Sequence, residues 1–251
     1  MRNIKTLFAA LGVVALAACG TKEAPGPLEP TGATGRIRFV NLITDATKLP
    51  VNAILENVPF GVGLTYGGTT PSTLPSPSTA NYSAIYTGSR SLVLKKTADT
   101  TVIVASIPLT ITASQDVTVY ARGGASASAI TTTTIVDDNT GTVDAAQTRI
   151  RAVNMTAAAV DVFVTAAGAD LSTATATFAN VASGAGSSYG SVAAGAYSVR
   201  VVPAGTAAAA RAAAVSLTLS ATFTGGTGRT VVIAPSSAGA TPSIGVVLPD
   251  R

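Results

Sequence analysis

Arg36-Ile37-Arg38-Phe39-Val40-Asn41 returns as Arg149-Ile150-Arg151-Ala152-Val153-Asn154, and this pair of segments decides the fold. In each, polar and apolar residues alternate at the start, which is the period of a strand. The two arginines of a pair therefore project on one sheet face. The rest of the chain repeats in the same order. Val51-Asn52-Ala53-Ile54 lines up with Val160-Asp161-Val162-Phe163. At one constant spacing, Asn57, Val58, Gly61, Gly63, Tyr66 and Gly67 line up with Asn180, Val181, Gly184, Gly186, Tyr189 and Gly190. Tyr82-Ser83-Ala84-Ile85 answers Tyr197-Ser198-Val199-Arg200, and Asp116-Val117-Thr118-Val119 answers Arg229-Thr230-Val231-Val232. A period of about 110 residues is too long for a solenoid repeat, so the sequence predicts two homologous domains in tandem.

Within each copy the two-residue period continues. Ile107, Leu109 and Ile111 alternate with Pro108, Thr110 and Thr112, as do Val215, Leu217 and Leu219 with Ser216, Thr218 and Ser220. Val102-Ile103-Val104 and Val231-Val232-Ile233 are unbroken β-branched runs, which predict more deeply buried strands. Turn signals such as Gly67-Gly68, Thr87-Gly88-Ser89 and Gly225-Gly226 separate them. Seven or eight strands in about 110 residues is the count of an immunoglobulin-like sandwich. The expected fold class is all-β, with two tandem immunoglobulin-like β-sandwich domains. Only Ala207 to Ala214 favours helix by composition. With Arg211 as its one polar residue, it is expected to form a loop or strand edge.

Ahead of the body, Arg2 and Lys5 precede an apolar run from Leu7 to Ala18 that ends in Leu16-Ala17-Ala18-Cys19-Gly20. The run is about a dozen residues against roughly 20 for a membrane-spanning helix, which fits a processed signal. Its end resembles a bacterial lipobox, in which the cysteine receives a diacylglycerol and becomes the mature N-terminus. Cys19 is the only cysteine. The resemblance implies membrane attachment through an N-terminal lipid, and Gly20 after the cysteine implies export to the outer membrane of the cell envelope. The resulting division is a signal peptide over 1–18, then lipidated Cys19 and a Pro-, Gly- and Thr-rich tether over 19–35. Domains over 36–140 and 147–251 follow, joined by a linker over 141–146.

The formal charge is +4, and loss of Arg2 and Lys5 with the signal leaves about +2. The remaining cations are scattered, so no nucleic-acid partner is expected. Histidine is absent, which with Cys19 acylated removes the commonest general base, the thiol nucleophile and the usual transition-metal ligands. No Ser-x-x-Lys motif or phosphate loop is evident, so no catalytic residue, cofactor or metal is assigned. A hydrolase would need two of the twelve acids brought within about 5–10 Å in a cleft.

Asp137-Asp138-Asn139, with Gly141 and Asp144, is the densest acidic group. It admits a calcium reading but lacks the twelve-residue loop register, and it lies where a polar linker is needed. Arg36 with Arg38, and Arg149 with Arg151, are expected on an exposed edge or face where charge deters strand pairing. The other reading is a grip on an acidic glycan or a partner carboxylate. With tryptophan absent and six tyrosines, ring platforms for sugars are few. The matched tyrosines suit a core or corner role shared by both copies.

The motif at Arg149 to Asn154, followed by Val160-Asp161-Val162-Phe163, resembles a bacterial exported domain family of unknown function. That family opens on R-x-R-x-x-H/N and continues through a V-D-V-Y/F strand and a Y-G pair, matched by Tyr189-Gly190 and Tyr66-Gly67. An A-G-x-Y-x-V hairpin follows, matched by Ala194-Gly195-Ala196-Tyr197-Ser198-Val199. The second copy fits best. The first has Asn52 for the aspartate and a Pro71 to Pro77 stretch in place of the Ala-Gly pair. The resemblance implies a β-sandwich in the cell envelope and transfers no activity. The expected function is a non-catalytic, lipid-anchored structural or protein-binding module whose partner is an unidentified envelope protein. The alternative is capture of a glycan or small ligand, marked by a groove with clustered Tyr, Arg and Asp.

Overall fold

The computed structural model describes residues 32–71, 81–123, 129–236 and 244–250. The signal peptide, Cys19, the tether as far as residue 31 and most of the Pro71 to Pro77 stretch lie outside the described residues.

Among the described residues nine strands form before the linker: β1 (Thr34–Ile43), β2 (Val51–Leu55), β3 (Val58–Leu64), β4 (Thr69–Thr70), β5 (Ser83–Tyr86), β6 (Gly88–Lys96), β7 (Ile103–Ile111), β8 (Asp116–Gly123) and β9 (Ile130–Asp137). Nine more follow it: β10 (Gln147–Asn154), β11 (Val160–Thr165), β12 (Phe178–Val181), β13 (Ala185–Gly186), β14 (Gly190–Ala193), β15 (Gly195–Pro203), β16 (Leu217–Phe223), β17 (Thr227–Ala234) and β18 (Ile244–Pro249). The fold is all-β. In the first set, one sheet runs β4-β1-β8-β9 with β5 also on β1, and the other runs β3-β2-β6-β7. The second set repeats this, as β13-β10-β17-β18 with β14 on β10, and β12-β11-β15-β16. The first strand of each set lies parallel to its neighbour, β1 on β8 and β10 on β17, and is buried on both faces.

Alternation along β1 and β10 explains the layering. Ile37 and Phe39 enter a core shared with Ala53, Leu92, Leu94 and Ile107. Ile150 and Ala152 enter a second core with Val162, Val199, Val201 and Phe223. The intervening positions point the other way. Val40, Leu42 and Tyr120 meet Val153, Met155, Val232, Ala234 and Leu248 in a third core between the sandwiches. The result is a four-layer stack, with β3-β2-β6-β7 at one outside and β12-β11-β15-β16 at the other.

The hydrogen bonds re-register the internal repeat. Gly63 and Asn180, both at positive φ, each donate an N–H to the β2 or β11 side chain, Asn52 Oδ1 at 2.9 Å and Asp161 Oδ1 at 2.7 Å. Gly67 and Gly184 donate to the carbonyls of Asn41 and Asn154. Tyr82 and Tyr189 stand one residue ahead of β5 and β14, which pair with matching parts of β1 and β10. Thr118 and Thr230 lie opposite Arg38 and Arg151. Tyr66 therefore matches Ser183, and Tyr82 matches Tyr189 rather than Tyr197. In a chain this rich in Gly, Ala and Thr, residue identities align strands out of register, and the ladders correct them.

One local expectation changes, for Val102 and Ile103, and one holds, since Ala207 to Ala214 is a loop. Val102 and Ile103 are 44% and 59% exposed, because β7 is an edge strand and these residues sit at its hairpin tip. Ala208–Ala210 form one 3-10 turn. It belongs to a strap over 204–216 that, with a second strap over 166–177, covers the outer face of the second sandwich. Leu171, Ala174, Ala176 and Val215 pack there on Phe163 and Val202. Arg211 lies over the Phe163 ring and donates to the carbonyls of Leu171 and Ala174.

Candidate functional site

The greatest concentration of charged and phenolic side chains lies between the two sandwiches, at the arginine end of β1 and β10. Arg38 and Arg151 are not on an exposed face; they are 2% and 3% exposed. Burying a guanidinium is costly unless its donors find acceptors, and here every nitrogen of both groups does so in the same way. Arg38 donates Nε to Thr118 Oγ1 (3.1 Å), Nη1 to the carbonyl of Pro249 (2.6 Å) and Nη2 to Asp250 Oδ1 (3.0 Å). Arg151 donates Nε to Thr230 Oγ1 (2.9 Å), Nη1 to the carbonyl of Val136 (3.1 Å) and Nη2 to Asp137 Oδ1.

Each arginine thus pairs with the aspartate at the end of the last strand of the other sandwich. The carboxylates are completed from their own side. Asp137 accepts from Thr118 (2.5 Å) and Tyr82 (2.8 Å), and Asp250 accepts from Thr230 (2.7 Å) and Tyr189 (3.1 Å). Arg38 stacks over Tyr82 at 4.5 Å and Arg151 over Tyr189 at 4.9 Å. The arrangement has approximate two-fold symmetry.

The symmetry breaks in two places. Arg36 holds Asp116 through both carboxylate oxygens. Glycine takes the corresponding position on β17, and Arg149 instead pairs with Asp138, the residue just after β9. Tyr120, on the interface, is answered by Val232, and its buried hydroxyl has no hydrogen-bond partner among the described residues. At the far end of the interface Arg122 donates to the carbonyls of Met155 and Thr156, and Tyr66 to that of Pro235.

Electrostatics follow from burial. Desolvation raises the pKa of Tyr82, of Tyr189 and of Tyr120, and takes Tyr66 to about 12. Burial works against the charge of Arg38, but the neighbouring phenols and the carboxylates of Asp250 and Asp137 more than offset it, and its pKa lies above the ordinary value. Asp138 is held down to about 2, first by the Thr140 hydroxyl and then by Arg149.

These shifts give a testable alkaline response. An unfolded tyrosine ionises near pH 10. Above that pH the folded chain retains phenolic protons that the unfolded chain has lost, so stability is full below pH 10 and falls as pH rises. Absorbance titration is expected to find Tyr66, Tyr82, Tyr120 and Tyr189 ionising late and together with loss of structure. Smooth ionisation near pH 10 with the circular dichroism intact would contradict this.

The acidic group singled out in the sequence is dispersed. Asp137 turns into the interface, Asp138 pairs with Arg149, and Asp144 caps the N–H of Ala146 (2.7 Å). Among the described residues no group of three or more His, Cys, Asp or Glu side chains can hold a metal ion. A cleft of about 320 Å3 beside the linker is lined by Gln115, Asp116, Asp138 and Asn139. Its three carboxylates, Asp116, Asp138 and Asp137, are already taken by Arg36, Arg149 and Arg151. Chemically, the cluster acts as a clamp: charge-neutral, desolvated and closed on itself.

Sequence reasoning located Arg38, Arg151 and Asp137 but missed their partner Asp250 and the interface that joins them. The available signal was Phe39-Val40-Asn41-Leu42-Ile43, a run too apolar for a strand with one wet face. In comparisons with known proteins, residues 35–165 match the family described as Domain of unknown function (DUF4397). The match runs from β1 to the end of β11, so the Tyr189-Gly190 and Ala194 to Val199 motifs fall outside it. No curated protein matches the chain.

Proposed function

The chain belongs to the DUF4397 family of domains of unknown function, and from that premise we propose that it is a non-catalytic, lipid-anchored envelope protein. Its paired sandwiches serve as one rigid structural or protein-binding body. The observation that carries this reading is the clamp. The side chains best suited to chemistry are turned inward and joined to each other, Arg38 to Asp250 and Arg151 to Asp137. Such a pairing fixes the mutual orientation of the two sandwiches, which suits a body that presents its surfaces to a partner.

Anchoring rests on Cys19 at the end of the short apolar leader. Wild-type protein grown with labelled palmitate is expected to take up label and to sediment with membranes. Cys19→Ser is expected to do neither, remaining soluble or retaining its leader. Labelled Cys19→Ser protein, or leader-cleaved Cys19→Ser protein that still sediments with membranes, would refute the anchor. A mature chain without acyl mass would do the same.

A further inference from the structure

The two outside faces of the stack differ. On the second sandwich, Phe163 and Val202 are sealed beneath the two straps. By register, the corresponding positions on the first sandwich are Ile54 and Lys95. Among the described residues no strap covers them: β2 and β3 are joined by Glu56-Asn57 alone, and β6 and β7 by residues 97–102. Ala53, Leu55, Leu92 and Leu94 take the inner side of this sheet, which leaves Asn52, Ile54, Val93 and Lys95 facing out. Ile103 lies directly across from Lys95, and Val62 on the neighbouring edge strand is 52% exposed. A band of β-branched residues therefore crosses the bare face and ends at the Val102-Ile103 tip.

Charge is gathered at the same end. Lys48, Lys95 and Lys96 are all the lysines among the described residues, and the N–H of Thr97 bonded to the carbonyl of Pro50 ties their loops together. Asp45 pairs with Lys48, and Asp99 lies near Lys96, leaving a net positive rim.

We propose that this outer face of the β3-β2-β6-β7 sheet rests on an anionic lipid surface. Val62, Val102 and Ile103 enter the headgroup layer, Lys95 meets the lipid phosphates from the face, and Lys96 adds its charge from the rim at the end of β6. Apolar burial and lysine attraction to anionic headgroups combine in this way at membrane surfaces. The orientation also fits the chain path. Sheets pack about 10 Å apart, so β1 enters close to the plane of this face, and the strap-covered face of the second sandwich points away.

The test uses the chain from Gly20 onward, which lacks leader and lipid and keeps every described residue, so its outcome does not depend on acylation at Cys19. Co-sedimentation is measured with vesicles of phosphatidylethanolamine containing about one-third phosphatidylglycerol, and with neutral phosphatidylcholine vesicles. Binding is expected to the anionic vesicles and to weaken with added salt. Lys95→Gln with Lys96→Gln is expected to reduce it about thirtyfold. Val62→Ser with Ile103→Ser is expected to weaken it at unchanged thermal stability, since these side chains are exposed. Equal binding to neutral vesicles, or full binding by the lysine variant, would overturn the proposal. So would no binding to either vesicle, which would leave the face to a protein partner.

Discussion

Asp137→Ala is expected to lower the free energy of unfolding by about 3–5 kcal/mol, among the largest losses available from one side chain in this protein. The carboxylate itself is not what makes the loss large. Its removal leaves the Arg151 guanidinium desolvated and without its counter-charge, and it strips acceptors from Thr118 and Tyr82. A domain of ordinary stability has about 5–15 kcal/mol in total, so the variant should be visibly close to unfolding at room temperature. Urea denaturation measures the effect, and Asp137→Ala with Arg151→Met separates its causes. If the unpaired charge dominates, removing both partners recovers much of the loss. A cost below about 1 kcal/mol is the value for a solvated surface pair, and would mean that the interface is wet and loose. Asp250→Ala, removing the partner of Arg38, is expected to behave alike because its surroundings repeat those of Asp137.

That symmetry bears on what the sequence could and could not reveal. Strand period, turn chemistry and the repeated Arg-x-Arg segment are local signals, and they suffice for an all-β chain of two sandwiches. Phe39 and Ile150 are recognisably core by alternation alone. The interface needed information that no single window holds. Arg38 finds its counter-charge at Asp250, far along the chain, and an arginine in a strand looks the same in sequence whether it meets solvent or a buried carboxylate. Charge patterning therefore pointed to an exposed face, and only packing of the two sheets reverses it. The tyrosines failed for a different reason. Tyr66, Tyr82, Tyr189 and Tyr197 each stand near a glycine or a small residue, so several alignments score equally, and the β1-β5 and β10-β14 ladders choose among them. Ile103 defies its sequence pattern because unbroken β-branched runs occur both in central strands and at exposed hairpin tips.

Phe39→Ala tests how far the two sandwiches behave as one unit. Phe39 is fully buried in the first core, where truncating a phenylalanine costs about 3–5 kcal/mol through lost apolar transfer and the cavity left behind. The more informative quantity is the number of transitions. If the first sandwich unfolded alone, it would expose Val153, Met155 and Val232 of the second and remove Asp137 from Arg151. Each of these changes penalises the second sandwich. Phe39→Ala is therefore expected to keep a single cooperative transition, moved to lower urea with an unchanged slope. In a background with both pairs replaced, Asp137→Ala with Arg151→Met and Asp250→Ala with Arg38→Met, the coupling charges are gone and none is left buried without a partner. There the same substitution is expected to split the curve, shifting the first sandwich while the second holds its midpoint. A split curve for Phe39→Ala alone would show that the third core and its clamp are too weak to join the two halves. The rigid-body reading of the fold would then fail, even with both sandwiches individually intact.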